Sequence, residues 1–171
     1  MNEKIYVIDT SAILSGIPLD FKDSLLIAPG GIKEEIKPGG RDYQNFIYQI
    51  EKGLKIIDVS KKTIDIIEDM LREIGENNRL SKVDKEVLAL AYDYNKKKEN
   101  NVIIITDDYS IQNAASFLKI KYKNISQKGI IKKFKWVYRC SGCGKKFKDD
   151  IKICPICGSK TKANVSDKKD I

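Results

Sequence analysis

Four cysteines, the only ones in the chain, stand as Cys140-Ser-Gly-Cys143 and Cys154-Pro-Ile-Cys157 with ten residues between the pairs. A glycine follows each second cysteine, Gly144 and Gly158. Two thiolates three positions apart can hold one face of a tetrahedral ion. The glycine permits a tight knuckle in which backbone N–H groups point at sulfur. Two knuckles complete a four-sulfur shell, for which zinc is the expected ion. That shell leaves no open coordination position, so the zinc would be structural, one per chain. Two disulfides are the competing chemistry, and an intracellular chain without other cysteines speaks against them. A redox pair is disfavoured because there are two motifs and neither stands at a strand-to-helix turn.

A second set of candidate groups offers only oxygen. Asp9 follows the apolar run Lys4–Ile8, and Asp107-Asp108 follow Val102–Thr106. Glu35 and Asp84 lie in early turns of helix-like segments. The chain has no histidine, which excludes His-based triads, Cys–His nucleophile pairs and imidazole metal sites. Carboxylates without imidazole suit a hard cation such as Mg²⁺ or Mn²⁺, which activates water and stabilises a leaving oxygen in phosphodiester hydrolysis. Each acid has a structural reading beside the chemical one. Ser81-Lys-Val-Asp84 resembles a capping box, Asp9-Thr10-Ser11 a helix start, and Glu34-Glu35 an exposed helix face. Taken singly, the residues leave both readings open.

The elements that must position these groups alternate. Strand-like runs at Lys4–Ile8, Leu25–Ala28, Leu54–Val59, Val102–Thr106 and Ile120–Ile125 are separated by segments with helical spacing. Ile64, Ile67, Met70, Leu71 and Ile74 mark one amphipathic helix; Val83, Val87, Leu88, Leu90 and Ala91 mark the buried side of another. This order is α/β with a parallel sheet flanked by helices. Val102–Thr106, apolar up to its closing threonine, reads as a strand buried on both faces. In open parallel sheets the site lies beyond the carboxyl ends of the strands, so Asp9 and Asp107-Asp108 converge if their strands are neighbours. The expected divisions are 1–127 for this domain, 128–162 for a small β-type four-cysteine ribbon with a basic lead-in strand, and 163–171 for a frayed polar tail.

Charge follows the same division. Residues 1–118 carry 16 Lys+Arg against 20 Asp+Glu, while residues 119–171 carry 16 against 4. An acidic body with a basic end suggests a polyanion held by one end while something else happens in the other, and a lysine-rich surface that serves solubility alone is the competing reading. Lys132, Lys133, Lys135, Arg139, Lys145 and Lys146 supply the charge, and Trp136, with Phe134, Tyr138 and Phe147, offers either stacking faces or a small ribbon core. No run approaches the ~18–20 apolar residues of a membrane span, and no membrane partner is expected. The first residues enter a strand pattern directly, so no signal peptide is expected, and the location is read as cytoplasmic.

Val7-Ile8-Asp9-Thr10-Ser11, Ile32-Lys-Glu-Glu35-Ile36, Ser81-Lys-Val-Asp84 and Ile105-Thr106-Asp107-Asp108, in that order, resemble the motifs of PIN-domain ribonucleases. With Thr106–Asn113, the Trp136–Cys140 approach to the ribbon and the four cysteines, the chain is similar to the archaeal Nin-one-binding protein family. That resemblance implies a Mg²⁺- or Mn²⁺-dependent endoribonuclease maturing the 3′ end of small-subunit ribosomal RNA, with the small-subunit particle and its assembly factors as partners. It implies catalytic roles for Asp9, Glu35, Asp84 and the Asp107-Asp108 pair, with Asp9, Asp84 and Asp108 as metal ligands. Position favours Glu35 over Glu34; Asp107 and Asp108 stay undivided. The alternatives are a non-catalytic RNA-binding assembly factor with a vestigial acidic cleft, and a toxin ribonuclease of the same superfamily, which usually lacks a ribbon.

Overall fold

The computed structural model of the protein describes residues 4–17, 19, 21–97, 101–125 and 132–170, without the side chains of 132–136 and 165–170. The body runs β1 (Lys4–Ile8), α1 (Thr10–Leu14), β2 (Ser24–Pro29), α2 (Ile32–Glu35), α3 (Gly40–Glu51) and β3 (Lys55–Ile57). It continues through α4 (Lys61–Glu73), α5 (Lys82–Lys97), β4 (Val102–Ile105), α6 (Tyr109–Phe117) and β5 (Lys121–Lys123). The five strands form one parallel sheet in the order β3-β2-β1-β4-β5. The strands ending in Asp9 and Asp107 are therefore neighbours, with Ile8 opposite Ile105.

Alternation along β1 explains why the sheet is covered twice. Ile5 and Val7 enter an apolar cluster with Ile67 and Leu71 of α4, Val87 and Leu88 of α5 and Ile111 of α6. Tyr6 and Ile8 enter a second cluster with Ala12 and Ile13 of α1, Ile32 of α2 and Phe46 of α3. Successive side chains of a strand point to opposite faces, so both faces of β1 are buried. The expected α/β architecture with a parallel sheet is the observed one.

Helix α2 stops at Glu35, because Pro38 disfavours helical backbone before it and Ile36 is already extended at φ −93°, ψ 95°. Edge strands β3 and β5 have only three residues each, fewer than their apolar patterns suggest. Short edges limit pairing with other chains.

The C-terminal part is a three-stranded antiparallel sheet, β7 (Lys146–Phe147), β6 (Lys132–Cys140) and β8 (Thr161–Asp170) in spatial order. The stretch expected to fray as a polar tail is instead β8, paired along β6 from Thr161 opposite Cys140 to Asp170 opposite Lys132. Its polarity is compatible with a strand because backbone pairing along β6 holds it. The expected boundary at 127/128 falls outside the described residues. Among the described residues no helix is long and apolar enough to cross a membrane.

Candidate active site and cysteine cluster

Asp9 follows β1 directly and is 3% exposed. It is the N-cap of α1, taking the Ser11 N–H at 3.3 Å on Oδ2. The same oxygen accepts the Ser11 hydroxyl at 2.7 Å and the Thr106 hydroxyl at 2.8 Å. Each hydroxyl is oriented from behind. The Asp107 N–H donates to Ser11 Oγ and the Asp108 N–H donates to Thr106 Oγ1, both at 3.0 Å. Gln112, fully buried on α6, donates to the Thr106 carbonyl at 2.9 Å. Two relays thus fasten Asp9 to the turn leaving β4.

Burial raises the Asp9 carboxyl from 3.8 to about 6; the Ser11 and Thr106 bonds pull against this, and the charge of Asp84 adds to it. Asp84 therefore acts on Asp9 from α5 across the sheet's carboxyl edge. It is also a cap: its carboxylate accepts the Ser81 N–H at 2.7 Å while Ser81 Oγ accepts the Asp84 N–H at 3.1 Å. That reciprocal pair is the capping box expected from Ser81-Lys-Val-Asp84.

Glu35 accepts the hydroxyl of Thr10, the residue after Asp9, at 2.5 Å. Glu34 turns away to Lys82 at 3.3 Å. The Asp107-Asp108 pair divides its contacts. Asp107 is buried and takes the Ile125 N–H on Oδ1 at 2.8 Å, which ties the end of β5 to the β4 turn. Asp108 is exposed and caps α6, accepting Ser110 N–H at 2.6 Å and Ile111 N–H at 3.3 Å on Oδ1.

The groups brought together at this edge are Asp9, Glu35, Asp84 and the Asp107-Asp108 turn. A buried, desolvated carboxylate facing a second negative charge is an arrangement that a cation relieves. The donors are all hard oxygen, which fits a cation of the Mg²⁺ class. Among the described residues these carboxylates do not form a close ligand group of the kind that the four cysteines form. A cation that retains several waters does not require such closeness.

The cysteines are free thiols in two knuckles of the same build. The Gly144 N–H reaches the Cys140 carbonyl and the Gly158 N–H the Cys154 carbonyl, with φ of 72° and 73° that favour glycine. Sulfur–sulfur separations of 3.3 Å (Cys140–Cys157) and 3.7 Å (Cys143–Cys154) approach the ~3.8 Å edge of a tetrahedron with metal–sulfur bonds of ~2.3 Å. The Gly142 N–H points at Cys140 Sγ from 3.3 Å, and the Ser159 hydroxyl and N–H push the Cys157 thiol down to about 6. The cluster fits one metal ion with no position left over.

Of the basic residues expected at the ribbon, Arg139, Lys145 and Lys146 are exposed. The side chains of Lys132, Lys133, Lys135 and Trp136 lie outside those described. Lys146, Arg139 and Lys162 are register partners across β7, β6 and β8. Lys162 stands at the C-terminal limit of the expected ribbon segment and adds to the basic residues expected there. Tyr138 is 5% exposed and so belongs to the packing rather than to a stacking face.

Ser11, Thr106, Gln112 and Glu86 were also not singled out. Their signal is a polar residue at an apolar position: Thr106 ends an all-apolar strand, and Glu86 interrupts the stripe Val83, Val87, Leu90.

A family model described as the PIN domain of ribonuclease matches residues 6–94. Ribonuclease VapC1 of Thermoplasma acidophilum is 39% identical over 170 residues, covering 98% of this chain and 81% of that protein. Endoribonuclease Nob1 of Archaeoglobus fulgidus is 34% identical over 156 residues, covering 91% and 88%. Endoribonuclease Nob1 of Methanothermobacter thermautotrophicus is 31% identical over 160 residues, covering 90% and 89%. The chain belongs to the PIN-domain ribonuclease family and groups within it with the archaeal Nob1 proteins.

Proposed function

We propose that the chain is a Mg²⁺- or Mn²⁺-dependent endoribonuclease that cuts precursor small-subunit ribosomal RNA at its 3′ end during ribosome assembly. Its partners would be the small-subunit particle and its assembly factors, in the cytoplasm. The observation that carries this is the buried Asp9, raised to about 6 beside the charge of Asp84 at the carboxyl edge of β1 and β4. Relatives named endoribonuclease support the reaction class.

Asp9, Asp84 and Asp108 would hold the divalent cation and Glu35 the cation or its water. Bound there, the cation supplies an activated water at neutral pH and neutralises charge on the leaving oxygen. The chain's own part is to orient. Ser11 and Thr106 hold Asp9 by Oδ2. Thr10 holds Glu35 to the same edge. Asp108 is preferred to Asp107 as a ligand because its Oδ2 takes none of the capping bonds, whereas Asp107 secures Ile125. With no side-chain nucleophile, water attacks and the products are a 3′-hydroxyl and a 5′-phosphate.

The four cysteines would hold one structural zinc, and the division at 127/128 separates cutting from RNA binding. Arg139, Lys145 and Lys146, with the side chains of Lys132, Lys133, Lys135 and Trp136, are the proposed RNA contacts. The row Lys146–Arg139–Lys162 supports this, since like charges opposite one another destabilise a sheet and a phosphate backbone relieves them.

The deciding experiment maps cleavage of an RNA spanning the rRNA 3′ end, with wild-type and Asp9→Asn protein, with and without Mn²⁺. Cleavage by the wild type alone is expected; undiminished cutting by Asp9→Asn would sink the assignment. Tight binding without any cutting would favour the non-catalytic assembly factor. The VapC1 match, which spans 98% of this chain, favours a second reading as a ribonuclease with another RNA target. Preference for transfer RNA over the rRNA precursor would support that one.

A further inference from the structure

Helix α2 is a single turn of four residues, too short to hold itself in water. Its N-cap, Gly31, makes no side-chain capping bond. The anchors come from other elements. At the C-terminal end Glu35 accepts the Thr10 hydroxyl. On the outer side Lys82 reaches Glu34 at 3.3 Å, with the two side chains 68% and 67% exposed. A pair so exposed contributes little.

The third anchor is buried. Glu86, 8% exposed, reaches from α5 and accepts the Gly31 N–H at 2.9 Å on Oε2. The backbone is shaped around it. A Cβ on Gly31 would stand 2.4 Å from Glu86 Oε2 and 2.9 Å from Val83 Cγ2. On the same helix stripe Val83, Val87 and Leu90 are buried apolar residues, so an apolar side chain would serve for packing alone. A carboxylate kept there at a desolvation cost must hold something that a methyl group cannot. It accepts the N–H that starts the turn carrying Glu35, while its Oε1 lies 3.8 Å from Nζ of Lys82 on the outer side.

We propose that Glu86 is a positioning residue of the site: it fastens α2 to α5, so that Glu35 and Asp84 face the cleft at a set separation. Its catalytic consequence rests on the endoribonuclease reading above. Glu86 acts through Glu35 and does not itself meet RNA.

Glu86→Gln keeps an oxygen for the Gly31 N–H, so cleavage should stay within about threefold of wild type. Glu86→Ala should lower kcat by about tenfold to a hundredfold with the RNA Kd unchanged, the scale expected of a misplaced group. Gly31→Ala, whose Cβ drives Glu86 away, should reproduce that loss. In a Glu35→Gln background, adding Glu86→Ala should lower the rate no further, and an additive loss would overturn the proposal. Amide hydrogen exchange reads the anchor without any cleavage. In Glu86→Ala, protection should fall over Gly31–Ile36 and persist in α5 and the sheet. Unchanged protection of α2, or a loss spread through the whole sheet, would overturn the proposal. Local loss in a protein whose wild type never cuts RNA would support the anchor and sink the endoribonuclease reading instead.

Discussion

Asp9 caps α1 and is also buried at 3% exposure, and the two circumstances favour opposite charge states. A helix N-terminus and the Ser11 and Thr106 bonds favour the anion, whereas desolvation favours the acid and prevails, with the carboxyl near 6. In the folded state the group binds its proton more tightly than at the unfolded value of 3.8. The stability it contributes is therefore full below that value and is lost as pH rises through 6. In metal-free protein this one group should make pH 7 less favourable than pH 4 by about 2 kcal/mol. Urea unfolding of wild type and Asp9→Asn should show it as a difference curve, with Asp9→Asn the more stable at pH 7 and inactive. Saturating Mg²⁺ should reverse the slope, since the bound cation prefers the anion. At the neighbouring pair, Asp108→Asn should cost cleavage more than stability and Asp107→Asn the reverse, because Asp107 secures Ile125. Rates and melting temperatures of the two variants check this.

The same doubling of roles recurs among the elements. Helices α1 and α6 begin on Asp9 and Asp108, and α5 begins on the Ser81–Asp84 box, so each carboxylate is held by the helix it starts. Ser81→Ala should cost about 1 kcal/mol in urea unfolding, the usual loss for a missing cap. Cleavage should stay near wild type, because Asp84 is anchored on the Ser81 backbone N–H, which the substitution keeps. Strand β8 is the other element with a consequence. Deleting residues 161–171 strips β6 of its long partner and removes Lys162. The ribbon should then release its metal to a chelator faster than the full chain, while the parallel sheet keeps its circular dichroism.

On the proposed function, cutting and holding are separated across the whole molecule. The acidic edge belongs to β1, β4 and α5, and the cationic row to the ribbon sheet. RNA affinity should fall steeply with salt. Replacing Arg139, Lys146 or Lys162 with alanine should reduce the slope of log K against log salt by about one each, if each meets one phosphate. Titrations at several salt concentrations measure this, and an unchanged slope for all three would remove the row from the interface. Removing residues 128–171 should weaken RNA binding more than cleavage chemistry at saturating RNA.

The cysteine cluster was legible because its chemistry is local: two thiols three apart and a following glycine define each knuckle whatever lies around it. The alternating sheet was legible for the same reason, since periodicity is a property of neighbouring residues. The carboxylates were legible as candidates only. Their helix-start readings are true, and nothing near Asp9 in sequence says that it is buried or that Asp84 acts on it. That convergence depends on β1 and β4 being neighbours, a pairing of residues about a hundred positions apart. Glu35 is set apart from Glu34 by its bond to Thr10, and Glu86 by its bond to Gly31, both contacts between elements. The tail became β8 because β6 offered it a backbone to pair with, which composition does not report. Residue types and short spacings determined which chemistry is available. Only the tertiary structure, through burial and long-range contact, decided which of those groups share a site.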